Sequence, residues 1–206
     1  MKAGAFVGGV SRRSAGDGDD RCARCGRRSE NAYFRSGRAR SIVKRMSLKV
    51  GDVAPDFEVT ARQAGKDRVI SLGSILADKN LVLYFYPRDF TTVCTREACG
   101  FQGAYAELMS GDAEVVGVSI DDAATHDRFA IENGIKFPLV SDTTRELARR
   151  YQATSALRDL LGVTARLTYV IGRDRRIEGI FDSAIRASKH VDGARGVIER
   201  LRARGR

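Results

Sequence analysis

Two cysteines five positions apart, Cys94 and Cys99, are the residues of this chain with the clearest chemical potential. Cys94 follows a short polar loop and opens a helical pattern. A cysteine in the first turn of a helix meets unpaired N–H groups and the positive end of the helix dipole. Because that setting favours the thiolate, the pattern predicts a reactive sulfur; the alternative is an inert core thiol.

The spacing of the two sulfurs constrains how they can react with each other. On an ideal helix, positions i and i+5 differ by about 140° and about 7.5 Å of rise, so their Cα atoms lie roughly 8–9 Å apart. A disulfide needs Cα atoms within about 7 Å. A bond between Cys94 and Cys99 therefore requires the helix to unwind locally, which predicts a redox-coupled order–disorder step. The alternative is that Cys99 is an uninvolved thiol.

Three further residues are expected near Cys94. Thr91 precedes it by three positions and can turn its hydroxyl toward the sulfur, while Pro87 shields one side of the loop. Arg166 enters a strand that we expect beside the strand ending at Pro87, where its charge would stabilise a thiolate. The alternative for Arg166 is a surface arginine.

A second cysteine pair, Cys22 and Cys25, forms a CxxC. A zinc site needs about four ligands, and the sequence shows no second CxxC or histidine pair nearby. A thioredoxin-type CxxC needs a strand before it and a helix after it, and neither is readable here. His126 and His190 are the only histidines of the chain, so histidine-rich metal sites and Ser–His catalysis are poorly supported. We predict no metal site, and the function that we favour below requires no cofactor.

The elements that must position Cys94 are readable from periodicity. The apolar run at residues 81–86 reads as a strand buried on both faces, which Pro87 ends because proline has no N–H for the ladder. The helix that follows places apolar residues on one stripe with the cysteine. The members of this stripe are Cys94, Ala98, Phe101, Tyr105 and Leu108.

The remaining pattern alternates strands and helices. We expect a hairpin around Gly65, a buried strand at residues 114–120, a short strand at 137–140 and a terminal hairpin at residues 167–181. We also expect a helix from the Asp122 cap to a stop at Gly134. Residues 143–146 (TTRE) read as a capping box, and Ser188 as the cap of a last helix. Residues 153–165 are ambiguous. The order predicts an α/β fold with a central mixed sheet flanked by helices on both faces.

Charge divides the chain into two parts. Of its 36 Lys and Arg and 26 Asp and Glu, residues 1–46 hold 12 and 4, which leaves 24 and 22 in residues 47–206. The basic character thus belongs to the first segment, so the domain itself is not expected to bind nucleic acid. We predict a basic, disordered extension at residues 1–46, with at most a short helix at 41–45, and one globular domain at residues 47–206.

Cellular context is only partly readable. No run approaches the roughly 18 apolar residues of a membrane helix, and four cysteines in this length suit a reducing compartment better than a secreted scaffold. We expect a cytoplasmic protein. The Arg-rich composition of residues 1–46 leaves organelle targeting open, although three aspartates argue against it. A third interpretation is that the protein itself starts at Met46.

Residues 87–94 (PRDFTTVC) resemble the P-x-x-x-T-x-x-C signature of peroxiredoxins. The opening segment VGDVAPDF (50–57), the segment FPLVSD (137–142) and the pair Arg166-x-Thr168 are similar to other stretches of that family. The pair in CTREAC (94–99) resembles the bacterioferritin-comigratory, or Q-type, subgroup of the AhpC/TSA family. The resemblance covers about residues 48–202.

This resemblance implies a thioredoxin-like fold and a thiol peroxidase acting on hydrogen peroxide and organic hydroperoxides. Cys94 would be the peroxidatic cysteine, with Thr91, Arg166 and the Cys94 N–H holding the peroxide and Pro87 walling the pocket. Cys99 would resolve the sulfenic acid as a disulfide, and thioredoxin or a similar dithiol would reduce it. We expect a monomer or weak dimer.

Two departures and two other functions accompany this prediction. Q-type loops usually carry Pro-Gly where this chain has Thr92-Val93. In this respect the loop resembles that of the typical two-cysteine group. No cysteine follows Cys99, so resolution by a C-terminal cysteine of a partner chain is closed. The other functions are a non-catalytic, redox-regulated binding module that uses the basic segment, and a thiol–disulfide oxidoreductase that uses Cys22 and Cys25.

Overall fold

The computed structural model describes residues 47–205 apart from 156, 157, 159 and 161. Seven strands in this part of the chain form one sheet in the order β2-β1-β5-β4-β3-β6-β7. The strands are β1 Glu58–Gln63, β2 Lys66–Ser71, β3 Asn80–Phe85, β4 Ala113–Ser119, β5 Leu139–Ser141, β6 Leu167–Ile171 and β7 Ile177–Asp182. The helices are α1 Leu72–Leu76, α2 Thr92–Ser110, α3 Ala123–Asn133, α4 Glu146–Arg150 and α5 Ala187–Arg204.

The sheet is mixed, as predicted. Strand β3 pairs in parallel with β4, and β4 with β5, because helical crossovers connect them. The hairpins β1–β2 and β6–β7 are antiparallel and close the two edges, and β3 pairs antiparallel with β6. The expected neighbourhood of the strand that ends at Pro87 and the strand that Arg166 enters is therefore confirmed.

Apolar cores lie on both faces of the sheet. Successive residues of β3 alternate between them, because strand side chains have a period of two. Leu81, Leu83 and Phe85 face the core that α1 and α4 cover, whereas Val82 and Tyr84 face the core of α2, α3 and α5. Helices on both faces confirm the predicted thioredoxin-like α/β architecture.

The predicted helix cap is confirmed at α3 but not at α4. The Asp122 carboxylate accepts the Thr125 N–H at 2.8 Å, and Gly134 ends α3 with φ 64°, as predicted. The capping box expected at residues 143–146 is wrong. Helix α4 begins after Arg145, and the Asp142 carboxylate accepts the N–H groups of Leu147 and Ala148 at 3.2 and 2.8 Å. A charged acceptor makes stronger bonds than a threonine hydroxyl, which explains the outcome.

Helix α5 begins one residue before its predicted cap, since Ala187 is already helical and Arg186 stands at the cap position. The predictions for residues 1–46, including Cys22 and Cys25, lie outside the described residues, and so do four positions of the ambiguous 153–165 segment. Across the residues that are described, no helix combines the length and apolarity needed to cross a membrane.

Candidate active site

Cys94 is the third residue of helix α2, which follows the loop that joins β3 to it. Thr91 stands at the N-cap position with extended backbone (φ −79°, ψ 143°), and its carbonyl accepts the Thr95 N–H at 2.8 Å. The helix therefore begins two residues earlier than predicted, but the cysteine keeps its place in the first turn. Its side chain is only 1% exposed.

Thr91 and Pro87 belong to the loop that joins β3 to α2. Pro87 is half-buried just beyond β3, and Thr91 is exposed. The Thr91 hydroxyl donates to the Arg88 carbonyl oxygen at 3.2 Å and makes no capping bond to the helix. A hydroxyl that donates one hydrogen bond can still accept others, so the Thr91 hydroxyl oxygen remains able to accept a hydrogen bond.

Arg166 reaches the sulfur directly. The antiparallel register sets Tyr84 opposite Thr168 and Phe85 opposite Leu167, so Arg166 lies beside the end of β3. Its Nη2 donates to Cys94 Sγ at 3.1 Å, and its Nε donates to the Ala184 carbonyl oxygen at 3.2 Å. A surface position, the alternative for this residue, is excluded because the side chain is buried.

The third arginine nitrogen, Nη1, pairs with the carboxylate of Glu97, one turn after Cys94 on α2. Burial disfavours the guanidinium charge, but Glu97 and the Cys94 sulfur outweigh it, so the pKa of Arg166 is raised. Glu97 is 0% exposed, and its burial raises the pKa of the carboxyl to about 7 even though Arg166 acts in the opposite direction. Cys94 and Glu97 thus both accept a hydrogen bond from the guanidinium of Arg166.

His190 of α5 extends this buried network. Its Nδ1 lies 2.9 Å from the Thr168 hydroxyl and 3.5 Å from Glu97 Oε1, and its Nε2 lies 3.0 Å from the Ser183 carbonyl oxygen. Burial lowers the pKa of His190, Arg166 lowers it further, and the bond to Ser183 opposes both. The ring is therefore held in its neutral form near neutral pH.

Another buried cluster holds the loop before the cysteine. Asp89 Oδ1 accepts the Tyr86 hydroxyl at 2.7 Å, and Asp89 Oδ2 lies 2.7 Å from His126 Nδ1. The Asp89 N–H donates to the Asp121 carboxylate at 2.7 Å. The loop is therefore tied to the end of β3, to α3 and to the segment between β4 and α3, which restricts where Thr91 can move.

Sequence reasoning missed Glu97, His190, Asp89 and His126. For Glu97 a local signal existed, because a residue three after Cys94 lies on the same helix face. No comparable signal existed for His190 or His126, which reach the site only through the packing of α5 and α3 on the sheet. The described residues contain no cluster of His, Cys, Asp and Glu suited to a metal ion.

Cys99 does not join the site in this state. It is exposed on α2, with its sulfur 3.8 Å from Asn133 Oδ1, and both cysteines are free thiols. Because α2 is continuous from Thr92 to Ser110, helical geometry keeps the two Cα atoms roughly 8–9 Å apart. The structure thus brings Cys94 and Arg166 together at the start of α2, directly after the loop that holds Pro87 and Thr91, and leaves Cys99 apart.

Comparisons with known proteins agree with this arrangement. The model of the AhpC/TSA family matches residues 50–180. A chloroplastic peroxiredoxin Q of Triticum aestivum is 36% identical over 152 residues, which are 73% of this chain and 67% of that protein. Nothing in the comparisons favours a non-catalytic binding module.

Two solved structures are similar in fold and sequence. The crystal structure of peroxidoxin BcpB from Mycobacterium tuberculosis has a TM-score of 0.66 at 32% identity, covering 75% of this chain and 98% of that one. A PrxQ mutant from Xylella fastidiosa has a TM-score of 0.65 at 25% identity, covering 78% of this chain and 99% of that one.

Proposed function

Since the chain belongs to the AhpC/TSA family and is a thiol-dependent peroxidase, we propose that Cys94 is the sulfur that attacks the peroxide. One observation carries the proposal: Arg166 Nη2 donates to Cys94 Sγ at 3.1 Å, at the amino end of α2. A guanidinium and a helix N-terminus together favour the thiolate. They also face the oxygen on which negative charge develops during the reaction.

The reaction follows from this geometry. The thiolate attacks one peroxide oxygen, so an S–O bond forms while the O–O bond breaks, and the departing oxygen leaves with the proton of the peroxide as water or an alcohol. Arg166 and the Cys94 N–H donate to the peroxide oxygens, and the Thr91 hydroxyl accepts from the peroxide O–H. Pro87 limits the pocket on one side. Cys94 is left as a sulfenate, which takes up one proton from the solvent to become the sulfenic acid.

The burial of Cys94, which is 1% exposed, favours small substrates. The exposed Thr91 and the half-buried Pro87 belong to the loop past which a peroxide is proposed to reach it. Hydrogen peroxide is small enough for a buried sulfur, and an organic hydroperoxide would keep its carbon chain outside. Both are proposed as substrates.

Resolution requires a change in α2. Cys99 attacks the sulfenic sulfur, water leaves, and a disulfide forms, but only after the turn between the two cysteines unwinds. A thioredoxin-like dithiol then reduces the disulfide. We further propose that the protein works in the cytoplasm, where its disulfide is reduced, and that it acts as a monomer or weak dimer. The relative from Triticum aestivum is described as chloroplastic, which keeps organelle targeting by residues 1–46 as the alternative.

Intact-mass analysis after one equivalent of hydrogen peroxide tests these assignments. Cys22 and Cys25 are replaced by Ser throughout, because a disulfide between them would also remove two hydrogens. The otherwise native chain is expected to lose two hydrogens, and Cys99→Ser to gain one oxygen. Cys94→Ser is expected to show neither of these mass changes. Oxidation of Cys94→Ser at the native rate would contradict the assignment of Cys94, and a gain of oxygen without disulfide in the Cys99-containing chain would contradict that of Cys99.

A further inference from the structure

Glu97 and His190 meet in the interior beside Cys94, and the reaction described above uses neither. Both side chains are 0% exposed. Glu97 Oε2 is bonded by Arg166, whereas Oε1 accepts no hydrogen bond from any described residue and lies 3.5 Å from His190 Nδ1. An ionised carboxylate oxygen without a donor is costly in a dry site. A proton on this carboxyl removes that cost.

The hydrogen bonds of His190 decide which way its ring faces Glu97. A carbonyl oxygen can only accept, so the 3.0 Å contact with the Ser183 carbonyl places a hydrogen on Nε2. In the neutral ring Nδ1 is then an acceptor, and the Thr168 hydroxyl at 2.9 Å can donate to it. Nδ1 therefore carries no hydrogen for Glu97 Oε1, 3.5 Å away, and its partial negative charge disfavours an ionised carboxylate there. Neutral His190 therefore favours a proton on Glu97.

The charged groups around Glu97 and His190 link the protonation of Glu97 to the ionisation of Cys94. The titratable and charged groups that face it from the surrounding elements are Tyr84, Cys94, Arg166, Asp182 and Lys189. Among them Arg166 bonds both Glu97 and Cys94. An ionised Glu97 neutralises Arg166 and repels a thiolate, whereas a protonated Glu97 leaves the guanidinium charge to the sulfur.

We propose that His190 is a positioning residue for the Cys94 thiolate, because its unprotonated Nδ1 favours a proton on Glu97 and so leaves the charge of Arg166 to the sulfur. The step transfers one proton: the S–H bond of Cys94 breaks, an O–H bond forms on Glu97, and the charge of the cluster is unchanged. The inference rests on the proposed role of Cys94, but it concerns ionisation of the sulfur and not its oxidation.

The test is the pH midpoint of Cys94 alkylation by iodoacetamide, measured with Cys22, Cys25 and Cys99 replaced by Ser. His190→Gln keeps an amide N–H for the Ser183 carbonyl and removes the Nδ1 acceptor. It is expected to raise the midpoint by about one unit and to slow the reaction with hydrogen peroxide about tenfold below that midpoint. In a Glu97→Gln background the same change is expected to move the midpoint by less than about 0.3 unit.

Equal shifts in the two backgrounds, or no shift in either, would overturn the proposal, since a general loss of packing would not depend on Glu97. A second readout applies if His190→Gln does not fold. Alkylation at about pH 7 removes the negative charge of the sulfur, so Glu97 should release its proton and the infrared difference spectrum should lose a protonated-carboxyl band. Glu97→Gln is expected to lack this band, and an unchanged carboxyl region in the otherwise native chain contradicts the inference. Failure to reduce peroxide with these alkylation results intact would count against the proposed function alone.

Discussion

Arg166 donates a 3.1 Å hydrogen bond to the sulfur of Cys94 across 72 positions of sequence. The antiparallel pairing of β3 and β6 brings the arginine to the point where the chain leaves the sheet for the cysteine loop. Arg166 also pairs with Glu97, so one side chain links the sulfur to the buried acid. Changes in this network should therefore act on the sulfur through both charge and geometry.

Replacing Arg166 by Lys is expected to slow oxidation of Cys94 by hydrogen peroxide about 100-fold. Lysine keeps the charge but cannot bond Cys94, Glu97 and the Ala184 carbonyl together as the planar guanidinium does. The rate is measured by stopped flow in a Cys99→Ser chain. Arg173→Lys, at an exposed position, serves as the control and should leave the rate unchanged. A rate within about threefold of native would refute the role of the guanidinium fork.

Loosening α2 between the two cysteines should speed disulfide formation. Arg96 is exposed in that turn, and Arg96→Gly weakens the helix by about 1 kcal/mol relative to Arg96→Ala. If unwinding precedes attack by Cys99, the glycine variant is expected to form the disulfide about fivefold faster than the alanine variant. Quenched samples analysed by mass after a peroxide pulse give the rate. Identical rates in the two variants would show that unwinding does not limit this step.

The pH dependence of stability should carry the signature of Glu97. Its pKa is raised from 4.5 to about 7 in the folded chain, so between these values the folded state holds more protons than the unfolded state. Stability contributed by this carboxyl is therefore greatest at low pH and is lost as pH rises toward and past 7. Relative to Glu97→Gln, the native chain is expected to lose about 2 kcal/mol of unfolding free energy between about pH 5 and about pH 8.

Urea titrations at the two pH values measure this difference. Glu132→Gln, at an exposed position of α3, is the matched control and should follow the native pH dependence. Parallel curves for the native chain and Glu97→Gln would mean that Glu97 titrates alike in the folded and unfolded states.

Removing the Asp89 carboxylate should destabilise the whole domain. Asp89→Ala leaves the Tyr86 hydroxyl and the His126 ring buried without their partner. The expected loss is about 3 kcal/mol, which is typical of breaking a buried polar pair from one side. Urea unfolding measures it, with Glu132→Ala expected to stay within about 0.5 kcal/mol of native. A comparably small effect of Asp89→Ala would mean that the cluster does not anchor the cysteine loop.

The sequence alone determined the local features of this protein. An unbroken apolar run, a proline without an N–H and an apolar stripe at helical spacing specify a strand, its end and the helix that carries Cys94 in its first turn. These signals depend on neighbours within a few residues, so they are readable without the fold. Where two local caps competed, at α4, the prediction failed because the buried Asp142 carboxylate outcompeted the threonines.

The sequence already pointed to Arg166 near the sulfur, and the tertiary structure decided which further groups surround it. Arg166, Glu97 and His190 converge because β6 pairs with β3 and α5 packs beside α2 on one face of the sheet. The same packing, by excluding water, turns Glu97 into an acid that titrates near neutrality and keeps His190 neutral. Such effects depend on distance and on desolvation in three dimensions, which spacing along the chain does not encode.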